Sequence, residues 1–241
     1  VLMSATATVP LLIALPGLSF TDAFFETMSG LSTTGATVLV GLDHLAPSLN
    51  LWRAALHWYG GMGIIVLVVA ILPMLGVGGM QLYKAETPGP MKNDKLTPRI
   101  TQTAKALWLV YVLITVACIL SLRLAGMSWF DAVFHAFSTL ALGGFSNYDA
   151  SIGHYDSIAI ELVLIAFMLV SALNFSRHFI AWQQKSLRTY ATDSEASAML
   201  WLIGLCTLGV TLYVWLQGTY AGFGTSLRHV SFNLVAMATT C

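Results

Sequence analysis

Long and short apolar segments alternate along the chain, and their lengths predict two kinds of helix. A membrane-spanning helix needs about 20 mostly apolar residues. Four segments reach or approach this length, at residues 49–75, 106–125, 158–182 and 198–216. The opening segment 1–18 is interpreted as the end of a fifth spanning helix.

Three further apolar segments are too short to cross a membrane, at residues 20–31, 129–140 and 227–238. Small, polar or glycine-rich residues follow each of them as far as the chain extends. Helices of about 12 residues suit re-entrant segments better than full spans. Non-helical backbone at membrane depth is tolerated only where it lines a water-filled cavity or is buried in protein. The pattern therefore predicts short helices that enter the membrane and end in loops.

The short segments are copies of one another. Aligning the first two brings identical residues together: Asp22 with Asp131, Ala23 with Ala132, Phe25 with Phe134, Ser29 with Ser138, Leu31 with Leu140, and Gly35 with Gly144. In a third copy, Phe232 matches the two phenylalanines and Cys241 lies beside the position of the glycine. The repeat predicts equivalent helix–loop units in one chain.

The start of each copy carries a helix-capping signal. The first two copies begin with Ser-x-x-Asp, at residues 19–22 and 128–131. This is the capping-box pattern with Asp in the acidic position, and it predicts the first turn of a helix. The third copy has Ser226 in the cap position but His229 in place of the acid, so its predicted cap is weaker.

The loops after the short helices differ in side chains but keep the glycine in register. The three copies read Ser32-Thr33-Thr34-Gly35-Ala36-Thr37, Ala141-Leu142-Gly143-Gly144-Phe145-Ser146 and Thr239-Thr240-Cys241. Carbonyls from symmetric loops can replace the hydration shell of a cation. Glycine permits the positive φ that aims successive carbonyls at one axis, and the negative end of each short helix favours a cation there. We therefore predict a cation filter built from backbone.

The charged residues predict which side of the membrane the loops face. Most basic residues lie in or beside two linkers, 76–105 and 183–197, which are expected to be cytoplasmic. They are Lys84, Lys92, Lys95, Arg99, Lys105, Arg177, Lys185 and Arg188. Seven acidic residues lie on the other side and predict an acidic outer mouth that concentrates cations. They are Asp22, Glu26, Asp43, Asp131, Asp149, Asp156 and Glu161.

Composition excludes several classes of protein. The chain is 57% hydrophobic and only 9% charged, whereas soluble domains carry about a quarter charged residues. A formal net charge of zero gives no reason to expect nucleic acid as a partner. Three scattered cysteines are too few for a disulfide framework or a zinc site.

Polar and small residues inside the long apolar segments are further candidates. Ionisable residues at membrane depth are functional candidates by default, but near the interface we expect Arg53 and His57 to snorkel. Gly60, Gly61 and Gly63 are interpreted as sites of close helix packing. The sequence leaves open whether three residues near the cytoplasmic end of a span face the pore or a partner: Asn174, Arg177 and His178.

Four motifs resemble those of a known family. They are Phe24-Phe25-Glu26-Thr27-Met28-Ser29-Gly30 running into Thr33-Thr34-Gly35-Ala36-Thr37, His57-Trp58-Tyr59-Gly60-Gly61-Met62-Gly63, Gly78-Gly79-Met80-Gln81-Leu82-Tyr83, and Gly143-Gly144-Phe145-Ser146. The chain resembles the membrane subunit of the Trk/Ktr/HKT superfamily of potassium transporters, and within it most resembles the bacterial TrkH family. The likeness covers nearly the whole chain.

The resemblance implies an all-α polytopic membrane protein with tandem helix–pore loop–helix repeats around a central ion pore. Residues 1–75 then hold the end of repeat 1, with its pore helix, filter and second spanning helix. Residues 106–182 form repeat 2, and residues 198–241 form the first half of repeat 3. Residues 76–105 and 183–197 are the linkers. Because the chain lacks a charged leader and stops inside the third loop, we interpret it as a fragment without the fourth repeat or the family's gating loop.

The resemblance also places the ion site. It implies that K⁺, the transported ion, binds the backbone carbonyls of six residues: Thr33, Thr34, Leu142, Gly143, Thr240 and Cys241. Gly35 and Gly144 are the corresponding filter glycines. A glycine in the first loop is associated with potassium preference in this family and serine with sodium, so Gly35 implies potassium. Cys241 departs from the small residue or threonine usual at its position, which matters little if only its carbonyl binds.

The partners follow from the resemblance as well. It implies a homodimer in the bacterial cytoplasmic (inner) membrane, surrounded by lipid. A cytosolic nucleotide-binding regulatory subunit of the TrkA type is expected to bind it. No covalent cofactor, no enzymatic activity and no nucleic acid partner is expected.

Two other functions remain as alternatives. One is a sodium-permeable or cation-coupled secondary transporter, although the two complete copies share one orientation rather than the inverted one common in such proteins. A remote alternative is an intramembrane serine protease in which Ser146 and His178 form the catalytic pair. The repeat argues against the protease, and the charge pattern places Ser146 near the outside and His178 near the cytoplasm.

Overall fold

The computed structural model describes residues 1–71, 100–186 and 188–241, and every regular element in these ranges is a helix. The helices are α1 (Leu2–Ala7), α2 (Val9–Ala14), α3 (Phe20–Leu31), α4 (Pro47–Ile71), α5 (Ile100–Leu124), α6 (Trp129–Leu140), α7 (Ile158–Ala172), α8 (Phe175–Gln184), α9 (Arg188–Ala191), α10 (Ser194–Leu216) and α11 (Phe223–Thr239). The predicted all-α class is confirmed for this part of the chain.

Much of the first predicted linker lies outside the described residues. Residues 76–99 of this linker, which contain four of its basic residues and the Gly78–Tyr83 motif, are outside the described ranges. The last positions of the first long apolar segment, 72–75, are outside them as well. The end of the predicted linker is helical, since α5 begins at Ile100.

Two helices in the described ranges are long and apolar enough to cross a membrane, Ala104–Leu124 within α5 and Ser194–Leu216, which is α10. Helices α7 and α8 add a third span if they count as one bent unit. Helix α4 has 25 residues, and at a rise of ~1.5 Å per residue it exceeds the ~30 Å hydrocarbon core of a bilayer.

The prediction of one continuous helix over residues 158–182 is wrong. The chain bends by 95° at a break between α7 and α8. The residue after α7, Leu173, has an extended backbone (φ −75°, ψ 149°). The backbone carbonyl of the next residue, Asn174, accepts the N–H of Arg177 at 2.8 Å and so closes the first turn of α8.

Two residues whose role the sequence left open make contacts at this bend. Arg177 forms an ion pair with Asp193 at 3.0 Å, and Asp193 is also the N-cap of α10. The Nδ1 atom of His178 lies 2.8 Å from the hydroxyl oxygen of Tyr190, and its Nε2 atom lies 3.0 Å from the carbonyl oxygen of Val170. Both side chains therefore connect α8 to neighbouring helices.

The short helices match their predictions closely. Helices α3 and α6 have the predicted bounds, and each has its predicted serine cap, with Ser19 accepting the N–H of Asp22 and Ser128 that of Asp131. Helix α11 begins earlier than predicted, at Phe223. The prediction that Ser226 caps it is wrong, because the Ser226 hydroxyl lies inside the first turn and donates to the carbonyl of Gly222.

Helix α6 lies at the centre of the described structure. It packs against α4, α5 and α7, and α11 packs against α7 and α10. Eight of its 12 residues are buried. The main apolar core surrounds it and includes Met62 of α4, Tyr111 of α5, Leu164 of α7 and Val235 of α11. The second short helix is thus held by helices from all three repeat segments.

The glycines of α4 differ in what they contact. A Cβ atom added at Gly60 would overlap the Leu31 carbonyl at the end of α3, and one at Gly61 would lie 3.1 Å from the Ala141 Cα. Both confirm the prediction of close packing. For Gly63 the prediction finds no support in the part of the chain that the structure describes, since an added Cβ meets none of its atoms within 4 Å.

We expect Gly60→Ala to lower the thermal stability of the complete protein in detergent. Overpacking costs typically ~1–3 kcal/mol, and here the overlap is with backbone that cannot rotate away. Gly63→Ala is the matched control, since its methyl group, on the same helix, meets no atom of residues 1–71, 100–186 or 188–241 within 4 Å and improves helix propensity by up to about 1 kcal/mol. Equal melting temperatures for the two variants would contradict the contact.

Candidate functional site

The three loops have the same backbone conformation. Thr33, Leu142 and Thr240 occupy equivalent positions and have φ values of 55°, 53° and 61°. Positive φ is uncommon outside glycine, and for a β-branched residue such as threonine it is an outlier. Three such residues in register indicate that the surrounding structure imposes this turn.

Hydrogen bonds at the ends of the short helices explain the turn. In each loop, one N–H bonds to the carbonyl five residues earlier: Thr34 to Ser29 at 2.9 Å, Gly143 to Ser138 at 3.0 Å, and Cys241 to Ala236 at 2.9 Å. The preceding N–H bonds to the carbonyl three residues earlier in all three loops. This is the Schellman arrangement, in which the residue that donates to the carbonyl three residues earlier has a left-handed conformation.

The loops lie side by side in the order of the chain. Gly35 has φ 75°, and a Cβ atom added there would overlap the carbonyl oxygen of Gly143 in the second loop. Gly144 has φ 78°, and its added Cβ would lie 2.8 Å from the carbonyl carbon of Cys241 in the third. Because Gly143 and Cys241 are equivalent positions, each filter glycine contacts the next loop in the same way.

His57 supports the second loop from behind. It is completely buried, its ring stacks on Phe145 with centroids 4.0 Å apart, and its Nδ1 lies 3.3 Å from the Ser138 hydroxyl. A Cβ atom added at Gly143 would overlap the His57 ring. The expectation that His57 snorkels is therefore wrong, because its ring fills the space that Gly143 leaves.

Arg53 is also completely buried, so the expectation that it snorkels is wrong. Its Nε donates to the Glu26 carboxylate at 2.8 Å, and Glu26 is equally buried. One terminal nitrogen donates to the Ser146 carbonyl at 3.1 Å and the other to the Thr37 hydroxyl at 3.2 Å. The buried charge is retained because a carboxylate and several oxygens surround it.

Each of the seven acids assigned to the outer mouth has a partner within the protein. Glu26 pairs with Arg53, and both Asp156 and Glu161 pair with Arg228 of α11. Asp22 and Asp131 accept from the serine caps of their helices. Asp43 and Asp149 accept from backbone N–H groups. The two arginines offset part of the predicted negative charge, and the acidic mouth itself stays a prediction.

The segments that follow the first two loops also interlock. The Asp149 carboxylate accepts the N–H groups of Gly41 and Leu42, each at 3.0 Å. In return, the Asp43 carboxylate accepts the N–H of Asp149 at 3.2 Å. These reciprocal bonds hold the first repeat against the second beyond the loops.

A cavity of about 60 Å³ lies between the second and third loops. Its lining includes His135, Thr139, Gly144 and Cys241. The buried Nε2 of His135 has no hydrogen-bond partner among the described residues. A cavity of this size, with the unpartnered His135 nitrogen in its wall, has room for ordered water.

The two residues of the protease alternative have other partners. Both ring nitrogens of His178 are engaged, by Tyr190 and Val170. The Ser146 hydroxyl accepts the N–H of Tyr148 at 3.1 Å. Since a nucleophilic serine needs a base within hydrogen-bond reach, the geometry gives this alternative no support.

Sequence reasoning missed the support behind the loops. Arg53 and His57 are ionisable residues one helical turn apart in an apolar segment, and Glu26 lies in the middle of the first short helix. An acid on a short membrane helix and a base on the following apolar helix are a signal for an ion pair, because both charges cannot be left unpaired in an apolar environment.

We expect Gly143→Ala to destabilise the complete protein and Thr33→Gly not to. The alanine methyl group would overlap the His57 ring, and overpacking costs about 1–3 kcal/mol. Glycine at Thr33 removes the strain of a left-handed threonine, which offsets its greater freedom in the unfolded chain. Melting temperatures in detergent test this. A larger loss for Thr33→Gly would show that the turn is not imposed on that residue.

Known proteins resemble this chain over nearly its whole length. The Trk system potassium uptake protein TrkH of Halomonas elongata is 55% identical over 224 residues, which is 92% of this chain and 46% of the relative. The protein of the same name from Escherichia coli is 51% identical and covers 93% and 47%. The crystal structure of the potassium transporter TrkH from Vibrio parahaemolyticus superposes with a TM-score of 0.84 at 43% identity, covering 97% of this chain and 47% of that one.

The chain thus spans about half the length of the curated relatives it matches. The family model described as "TrkH: Cation transport protein" matches residues 1–218, which include the first two short helices and their loops. On this match, the chain belongs to the TrkH family of cation transport proteins.

Proposed function

We propose that this chain forms part of a potassium-conducting pore in which the ion binds backbone carbonyls of the three loops. The carbonyls belong to Thr33, Thr34, Leu142, Gly143, Thr240 and Cys241, with Gly35 and Gly144 as filter glycines. The observation that carries the proposal is the common left-handed turn of three adjacent loops. No common side chain accompanies it, so the shared element is the backbone.

The short helices give the loops the right electrostatics for a cation. Helices α3, α6 and α11 end at the loops. Since the C-terminal end of a helix carries a partial negative charge of about half an electron, three such ends near one axis lower the energy of a dehydrated cation. Carbonyl oxygens then replace the water that the ion loses.

Potassium as the transported ion is supported by the relatives, which are named for potassium uptake. Gly35 adds to this through the family resemblance, in which glycine in the first loop accompanies potassium preference. A sodium-permeable protein, or one that couples potassium to a second cation, is the alternative. The ratio of potassium flux to sodium flux distinguishes this alternative from a potassium-selective pore.

The complete protein is proposed to work as a homodimer in the bacterial inner membrane, surrounded by lipid and regulated by a cytosolic nucleotide-binding subunit of the TrkA type. The relatives' names place them in a Trk system. Exposed basic residues such as Lys185 lie in the part of the chain assigned to the cytoplasm. Failure of the complete protein to co-purify with any nucleotide-binding subunit from its own host would contradict this assembly.

We expect Gly35→Ser to lower the potassium-to-sodium permeability ratio of the complete protein. A side chain at this left-handed position overlaps the Gly143 carbonyl, so at least one carbonyl of the site must move. Gly41→Ser is the control, because Gly41 also has positive φ (69°), but an added Cβ there has none of the described atoms within 4 Å. Flux of both ions into proteoliposomes measures the ratio, and an unchanged ratio in Gly35→Ser would contradict the proposed site.

We expect Ser146→Ala to transport potassium normally. The carbonyl of Ser146 contacts Arg53, while its hydroxyl only accepts one turn hydrogen bond. Removing the hydroxyl therefore leaves the proposed site intact. Loss of a proteolytic activity in this variant, with potassium flux absent from the wild type, would instead favour the protease.

A further inference from the structure

The guanidinium of Arg53 joins equivalent positions of the first two loops. Thr37 lies two residues after Gly35, and Ser146 lies two residues after Gly144. One terminal nitrogen of Arg53 donates to the Thr37 hydroxyl and the other to the Ser146 carbonyl. A single side chain from α4 therefore connects the same point of two neighbouring loops.

The connection is rigid on both sides. The guanidinium is planar and its donors have fixed directions, so bonds to two loops fix the distance between them. The central carbon of the guanidinium lies 4.4 Å from the centre of the Phe145 ring. One of its terminal nitrogens donates to the side-chain oxygen of Asn50 at 3.2 Å. With no exposed surface, the group cannot exchange these partners for water.

Glu26 both balances the charge and holds the first loop. Its carboxylate accepts the Thr37 hydroxyl at 2.9 Å and the Val38 N–H at 3.1 Å, in addition to Arg53. A positive charge this close to the loops would repel a cation, and the repulsion between the two charges is strong where water is excluded. The carboxylate offsets that charge, so Arg53 can act as a brace without opposing the ion.

The second repeat does not contain this brace. The repeat alignment places His135 at the position of Glu26 and Leu162 at that of Arg53. The second and third repeats are joined instead by Arg228, whose partners Glu161 and Asp156 lie outside the loops. The cavity at His135 lies in this second seam. Of the two seams between described loops, only the first is bridged by a guanidinium.

We propose that Arg53 is a positioning residue that fixes the spacing of the first two loops and thereby contributes to the choice of potassium over sodium. The inference rests on the proposed function of the loops. Potassium and sodium differ in ionic radius and in hydration, and a carbonyl site distinguishes them by cavity size or by the number and field of its oxygens. Either basis is lost when the spacing of two loops is free to vary.

The test uses the complete protein in proteoliposomes and compares potassium and sodium fluxes. Arg53→Lys keeps the charge beside Glu26 but cannot reach both loops, so potassium flux remains and the permeability ratio falls by about tenfold, equivalent to ~1.4 kcal/mol. Arg228→Lys is the matched control, because it makes the same exchange in an ion pair that does not touch the loops. Its ratio stays at the wild-type value.

A second pair of variants covers the case in which Arg53→Lys does not fold. Thr37→Val is nearly isosteric but loses the bonds to Arg53 and Glu26, and it lowers the ratio. Thr37→Ser keeps the hydroxyl and restores the ratio. A selective wild type with unchanged ratios in Arg53→Lys and Thr37→Val overturns this inference alone, as does an equal fall in Arg228→Lys. A wild type that carries no potassium overturns the proposed function itself.

Discussion

Inside a membrane, backbone that leaves the helical conformation must find its hydrogen-bond partners within the protein. The three loops satisfy this constraint in one way, by returning two N–H groups to the last carbonyls of the short helix before them. The left-handed residue and the fixed register of the following glycine are consequences of that solution. The residue at which each short helix ends follows as well, because the turn to the loop begins there.

Much of this local structure could be predicted from the sequence because its causes are local. The bounds of α3 and α6 follow from a serine cap and a run of about three helical turns, and the glycines mark positions that need positive φ. The left-handed Thr33 and Leu142 carry no such mark, since their conformation is imposed by hydrogen bonds to the helix. The start of the third short helix, α11, was predicted less well, because its N-cap is Gly222 rather than a serine.

The support behind the loops depends on contacts between residues far apart in the chain, and the sequence pointed elsewhere. Arg53 looked like a residue near the membrane interface, for which an exposed head group is the usual outcome. Its burial depends on Glu26 and on a carbonyl of the second repeat, and neither distance can be read from spacing. The break after α7 was missed for a related reason, since the apolar run continues past Ala172 and the bend is stabilised by contacts from α9 and α10.

The Schellman turns also use up backbone donors at the ends of the short helices. The N–H groups of Thr34, Gly143 and Cys241, and those of the residues before them, are already bonded to helix carbonyls. Backbone N–H groups are what anions such as chloride or phosphate bind in proteins, commonly at the opposite end of a helix. The six N–H groups of these turns are therefore not available to an anion, because each already has a carbonyl acceptor at the end of its short helix.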